Sequence, residues 1–549
     1  HEVHVSSLHE ATVGDMRRPL SIMLGASLLL LLVACTNLTS TTLARGTMRQ
    51  REYAVRHALG AGRGRLMRLP LIEAMLLAVT GAAAGFALGA VALRLLPAIA
   101  PAELPRLSNV RLDPAAALFT LALAMLSAAV AGLWPGLRAS KSAADSLRGG
   151  GRTGSGHRSS RVWKLLIGAE VALALLLLVG SGLLLRSFWS VLQVEPGFRM
   201  HGLLTATIDP PPSRYATANA RRSYFETVQN GLRELPGVDE VGLVSAAPME
   251  GIANGLLQVR GGPADDMTAD YQIAGDGYFE AMGIPLQGGR TFTMRDREGS
   301  APVAVVNRAF AERAWPGEDP VGNEVSSGGM EDSTRWATVV GVVGDVVQRD
   351  LTRAARPTVY FTYRQRPFRT WSMTAILRPL NGDAAGLTAP VRAAIAALDP
   401  DVPAQYATIE QRVQDTLTTR RFMVLVILAF SALALLLASV GVYGVVSYAV
   451  ERRRREIGIR LALGAPASSV RRAVQRDYLV AAGWGALAGT VGALALSRVM
   501  ATLLFGVAPT DPLTFVAVIV LLIATAWVAS FIPALRTTRV DPLETMRTE

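Results

Sequence analysis

The sequence predicts a multi-pass α-helical membrane protein with about seven transmembrane helices and one large soluble α+β domain. Three observations carry this. Half of the 549 residues are hydrophobic, and they are bunched into blocks long enough to cross a bilayer as helices. The positive charge is confined to short loops between those blocks. One long interval, by contrast, has the charge density, turn signals and alternating patterns of a globular domain.

The seven blocks are 20–44, 71–96, 115–137, 162–185, 423–450, 478–500 and 513–535, none with a central run of charge. The formal charge of +12 raises the question of nucleic acid, so its distribution matters more than its sum. Residues 199–415 hold 21 basic and 26 acidic side chains, so the excess lies elsewhere. Loops 45–68, 138–164 and 451–476 each carry about +6, whereas 98–114 and 501–512 are near neutral. By the positive-inside rule the basic loops are cytoplasmic and the large interval faces outward, which leaves no basic patch for nucleic acid.

Cys35 is the one cysteine, so neither a disulfide framework nor a thiol metal cluster is expected. "LLVAC" after Arg17, Arg18 and an apolar run reads like a lipoprotein signal cleaved before Cys35. The same run aligns with 423–450, however, and apolar residues continue past the cysteine into a basic loop. A small core residue in a membrane helix is the better account.

The alignment rests on an internal repeat. "RQREYAVRHALGA" (49–61) and "RRREIGIRLALGA" (453–465) share eight of thirteen residues, among them Glu52 with Glu456, Arg56 with Arg460 and Gly60 with Gly464. Asp113-Pro and Asp511-Pro precede matching apolar blocks, which Pro135-x-Leu-Arg and Pro533-x-Leu-Arg follow. Glu73 aligns with Asp477, each read as the start of the next helix, where the dipole favours an acid. Each repeat is thus three helices with one basic loop between the first and second. The second copy is preceded by an added helix and the outer domain. The first is expected to lack both, so residues 1–19 read as the end of a missing first outer domain.

The organisation that follows is a first three-helix repeat at 20–137, a Gly/Ser/Arg-rich cytoplasmic linker at 138–161, a helix at 162–192, the outer domain at 193–417, a second three-helix repeat at 421–536 and a cytoplasmic tail at 537–549. A phosphate-binding loop needs a Gly-Lys pair, and the two lysines, Lys141 and Lys164, do not supply one. Nucleotide hydrolysis is therefore expected on another polypeptide. In the outer domain, strand-like runs at 202–208, 240–248, 301–307, 337–347 and 358–363 alternate with helical stretches at 217–235, 308–314 and 388–398. It holds no zinc-protease or serine-hydrolase motif, and His201 is its one histidine. No catalytic, cofactor or metal residues are expected. Glu170, Arg94, Arg186 and Arg498 read as lying near span ends, where snorkelling suffices, which argues against a proton or ion relay.

Read as a helix, Glu456 stands four residues before Arg460, the favourable order for an ion pair along one face. Ile457, Leu461 and Gly464 share the adjacent face, and Gly464 before Ala-Pro is a good stop. A stop-transfer loop on lipid headgroups accounts for the arginines. It does not account for an identically placed Glu and Gly in both copies; a docking helix accounts for both.

Here the sequence resembles the FtsX-like and MacB-like permeases of ATP-binding cassette systems, and among them the acidobacterial-type duplicated permeases. "RRREIGIRLALGA" resembles their cytoplasmic coupling segment. "GYFEAMGIPLQGGRTFTMRD", "APVAVVNRAFAERAWPGEDPVG" and "TVVGVVGDVVQRDL" are similar to the MacB-type periplasmic core domain, and "AEVALALLLLVGSGLLLRSF" with "VEPGF" to its leading helix. The resemblance implies a permease subunit of an export or mechanotransmission system in the bacterial inner membrane, with the large domain in the periplasm. It also implies a separate cytoplasmic ATPase that binds ATP and docks on Glu52, Arg56, Gly60, Glu456, Arg460 and Gly464. The bilayer, and a periplasmic adaptor or substrate, are the other implied partners. The alternative is a membrane sensor whose outer domain binds a ligand and signals through the loops; a secondary transporter is disfavoured by the scarcity of mid-membrane charge.

Overall fold

The computed structural model describes residues 8–48, 52, 55–56, 62–99, 113–115, 117–129, 155–262, 266–326, 336–367, 370–452, 457, 459–460, 463 and 465–536. They fall into two compact units, one of His1–Ser190 with Thr419–Glu549 and one of Val191–Thr418.

Numbered along the chain, with the four helices of the second unit between them, the long helices are α1 (Leu8–Met48), α2 (Arg63–Ile99), α3 (Ala117–Ala129), α4 (Ser155–Leu192), α9 (Ile409–Arg452), α10 (Ala467–Met500) and α11 (Pro512–Arg536). All but α3 are long and apolar enough to cross a membrane, and the remainder of the expected block 115–137 lies outside the described residues. Three of these helices start more than ten residues before their apolar blocks, α1 at Leu8, α9 at Ile409 and α10 at Ala467. Helix α11 starts where its chemistry dictates: the Thr514 N–H and hydroxyl donate to Asp511 Oδ2 at 3.0 and 2.6 Å, with Pro512 in the first turn.

Helix α4 packs through small residues. A Cβ at Gly485 of α10 would stand 2.4 Å from the Gly168 carbonyl, and one at Gly489 would stand 2.9 Å from Ala172 Cα. Close approach of this kind is how apolar helices gain contact where lipid offers no hydrophobic driving force. Ion pairs lie toward both ends of the apolar span of α4, Lys164 to Asp477 at 3.5 Å and Arg186 to Asp511. The first repeat differs: at Gly81 and Gly85, the counterparts of Gly485 and Gly489, an added Cβ meets nothing within 4 Å among the described residues. Cys35 lies within α1 and its thiol donates to the Ser127 hydroxyl at 3.1 Å.

Two expectations need correction. Asp477 and Glu73 are not at helix starts, because each follows about ten helical residues of α10 or α2, beyond reach of the first-turn dipole; Asp477 is held by Lys164 instead. Glu170 is not at a snorkelling span end either. It sits inside α4, 2% exposed, packed against α9.

The second unit is α+β, as expected. Its elements are β1 (Leu204–Ile208), α5 (Ala218–Arg233), β2 (Val238–Val244), β3 (Ala253–Val259), β4 (Asp266–Ala274), α6 (Tyr278–Met282), β5 (Leu286–Gly289), β6 (Val303–Asn307), α7 (Arg308–Ala314), β7 (Glu324–Ser326), β8 (Ala337–Val343), β9 (Thr358–Thr362), β10 (Met373–Pro379), α8 (Thr388–Leu398) and β11 (Ala404–Thr408). The strands run β11-β1-β10-β2-β4-β3-β7-β8-β6-β9, and a parallel β9–β4 pairing closes the second part of the sheet on itself. Thr217 caps α5 by accepting from the Ala220 N–H, and Asn307 caps α7 by accepting from the Phe310 N–H. Phe225, Phe310, Trp315, Phe361 and Tyr363 anchor one continuous core.

Such a core predicts that residues 194–417, expressed without the membrane helices, give a soluble product with a cooperative melt. An aggregated or molten product at neutral pH would refute this. The melt has a defined acid limb. Burial pushes the Asp296 carboxyl up, but bonds from Arg290 and from the Thr293 N–H and hydroxyl outweigh it and hold the group below the usual carboxylate range. Its stabilisation is therefore complete above the unfolded value of about 3.9 and is lost as pH falls through the lower folded value. Asp296→Ala is expected to cost about 1–3 kcal/mol at pH 7 in thermal melts and less in acid.

Candidate functional site

The candidate site is the pair of repeated basic segments. In the first copy Glu52 and Arg56 form an ion pair at 2.6 Å, four residues apart with the acid first. Both side chains are exposed, so the pair adds only a few tenths of a kcal/mol to the segment; its effect is to orient two charges on one face. Gly60, Glu456 and Gly464 lie outside the described residues, so the sequence alone speaks for them.

In the second copy Arg460 is exposed, and the segment is anchored by Ile457, which is 4% exposed and belongs to the cluster that includes Trp163, Val446 and Ala482. The Ala465 N–H donates to the Arg460 carbonyl at 3.0 Å. A six-residue closure of this kind is the bond that ends a helix in a Schellman turn. With Ile457 turned inward, Ile459 and Leu463 are left outward, 49% and 82% exposed. Val55, the counterpart of Ile459, is likewise exposed. Each copy therefore presents an apolar side chain next to a basic one. Sequence reasoning named the charged pair and missed this outward apolar pair, although a β-branched residue directly before the arginine in both copies was the available signal.

Comparison with known proteins matches both repeats and the large domain. The description of the FtsX-like permease C-terminal domain matches the chain twice, at 24–144 and 428–542, one match to each repeat. The MacB-like periplasmic core domain matches 171–407. The chain belongs to the FtsX-like, MacB-like permeases. This permease is 28% identical over 332 residues to a macrolide export ATP-binding/permease protein MacB of Rhodospirillum rubrum, covering 56% of its own length and 47% of the relative. It is 26% identical to the MacB of Neisseria gonorrhoeae over 41% of its length and 34% of the relative. With a protein described as a syringafactin export ATP-binding/permease protein of Pseudomonas syringae, identity is 25% over 51% of its length and 42% of the relative. The permease thus spans less than half the length of these curated relatives. Among solved structures, the periplasmic region of MacB from Actinobacillus actinomycetemcomitans matches 41% of the permease and 96% of that chain, at 17% identity and a TM-score of 0.29. The extracellular domain of the transporter YknZ from Gram-positive bacteria matches 36% and 93%, at 18% and 0.25.

Proposed function

We propose that this permease is the membrane subunit of an export or mechanotransmission system in the bacterial inner membrane, and that it transmits the work of a separate cytoplasmic ATP-binding cassette ATPase to a periplasmic domain. The observation that carries this reading is the outward face of the two basic segments. Arg56 with Val55, and Arg460 with Ile459 and Leu463, offer an ATPase a mixed apolar and basic surface at the same place in each repeat. Exposed apolar residues rimmed by charge are the composition of a docking surface. ATP would be bound by the partner. The periplasmic domain would meet the substrate or an adaptor.

The reading requires the basic segments and the large domain to lie on opposite sides of the membrane. In a Cys35→Ala background, a cysteine at Leu380, 69% exposed in the large domain, is expected to react with an impermeant thiol reagent in intact cells. One at Leu463 is expected to react only after permeabilisation. The reverse order would remove the assignment. Copurification of an ATPase with the wild-type permease tests the partner directly, and its absence under conditions that keep the permease folded would count against it.

A further inference from the structure

Helix α4 carries an acid inside its apolar span. Glu170 lies eight residues into the span that begins at Val162, about 12 Å along the axis, and is 2% exposed. Its carboxyl rests on the backbone of α9 at Gly441, where an added Cβ would stand 2.3 Å from both carboxyl oxygens. Glycine leaves that seat open, and a Cβ there would displace the carboxyl. The counterpart of Gly441 in the first repeat is Asn37 of α1, whose amide donates to the Leu437 carbonyl at 3.0 Å, one turn before Gly441. Polar groups from α1 and α4 therefore converge on one turn of α9.

Among the described residues Glu170 Oε1 has no hydrogen-bond partner, and no ion pair reaches the carboxyl. On its own helix, Lys164 is engaged by Asp477 of α10 and Arg186 by Asp511, while His157, Arg158 and Arg161 lie nine or more residues before Glu170, ahead of the apolar span that begins at Val162. No charged residue occurs between Arg18 and Arg45 on α1, between Arg421 and Glu451 on α9, between Asp477 and Arg498 on α10, or between Asp511 and Arg536 on α11. The other titratable groups in those spans are Cys35, Tyr443, Tyr448 and Tyr478, and none is a cation. A carboxylate in this seat would be a charge in apolar surroundings without a counterion, which membrane interiors strongly disfavour, and an ionisable residue so placed is by default a functional one.

We propose that Glu170 is an intramembrane proton-binding site that links protonation to the packing of α4 against α9. With the carboxyl seated on Gly441 its O–H bond is intact. When the helices part at this turn and water enters, that bond breaks, the proton passes to water, and the carboxylate is hydrated. Resealing takes one proton up. Acid therefore favours the packed seam and alkali the parted one. For a machine that works by moving helices, pH becomes an input to the same equilibrium.

Infrared spectra of the full chain in lipid nanodiscs, with 13C-labelled glutamate, test the seated state. At neutral pH exposed glutamates are ionised, so a shifted protonated-carboxyl band is expected from Glu170 and is expected to vanish in Glu170→Gln. Absence of that band in the wild-type protein at neutral pH overturns the proposal, with no variant required. Spin labels at Leu165 and Leu436, both exposed, in a Cys35→Ala background test the linkage. A longer-distance population is expected to grow as pH rises and to be lost in Glu170→Gln, whose neutral amide keeps the seat. The same pH response with and without the acid overturns the linkage.

Discussion

Replacing both segment acids, Glu52→Lys together with Glu456→Lys, is expected to abolish ATPase copurification and stimulated hydrolysis while membrane insertion stays normal. Loss of the Glu52–Arg56 pair costs the permease only about 0.3–0.5 kcal/mol, because both side chains are solvated, so the fold survives. Binding is another matter. A charge buried unpaired at an interface costs about 2–5 kcal/mol, which is a loss of roughly 30-fold to several thousand-fold in affinity per segment. In the second copy the new lysine would follow Arg452 to Arg455 directly, so repulsion replaces attraction along the whole run. Headgroup binding predicts the opposite sign, since each added positive charge strengthens attraction to an anionic leaflet by about 1 kcal/mol. Full coupling in the double variant would leave these segments as stop-transfer loops.

Gly485→Leu is expected to disrupt the second repeat, and Gly81→Leu to leave the first nearly unchanged. At Gly485 the first added carbon already falls 2.4 Å from the Gly168 carbonyl, which is backbone, so no side-chain rotation relieves it and the two helices must separate. Overpacking of a well-filled interior costs about 1–3 kcal/mol where neighbours can adjust, and a backbone contact places this case at or above the upper end. The ion pairs at Lys164 and Arg186 would be strained with it. Thermal unfolding in mild detergent reads the difference, and Gly81→Leu is expected to lie within about 0.5 kcal/mol of wild type. Equal damage from the two would show that both glycine stripes are covered in the assembled protein, and the contrast between the repeats would fall.

Much of the membrane unit is legible in the chain because bilayer physics acts on local sequence. Hydropathy finds the helices, and Asp-Pro announces the start of α11 because Asp511 accepts from the Thr514 N–H and Pro512 has no N–H that would need a partner. Hydropathy does not find where α10 begins. Its first ten residues mix three arginines with short apolar ones, so hydropathy places the start at Tyr478 and puts Asp477 at the positive end of the dipole. The outer domain shows the same division. The helix at Arg308–Ala314 is announced by Asn307, and β6 and β8 by apolar runs.

Strand β4 escaped notice although it lies at the centre of the sheet and pairs with β2, β3 and β9. Its polar residues hide it: Asp270 is buried opposite Arg349 and Arg356, at 3.5 and 3.4 Å, and Gln272 is buried with its amide on the Ala246 carbonyl. A pattern scan reads such residues as surface because their partners are distant in sequence.

The sequence by itself determined the membrane class, the duplication, the paired segments with Glu52, Arg56 and Arg460, and the α+β character of the large domain. Each is written in composition or in neighbours a few residues apart, where helix period and bilayer thickness leave few alternatives. Tertiary structure alone decided that Glu170 is sealed against Gly441, that Asp477 holds Lys164, that Gly485 and Gly489 are packed where Gly81 and Gly85 meet nothing among the described residues, and that Leu463 faces outward. Those outcomes depend on which helix face meets which. That is a property of pairs of segments far apart in the chain, so no single segment contains it.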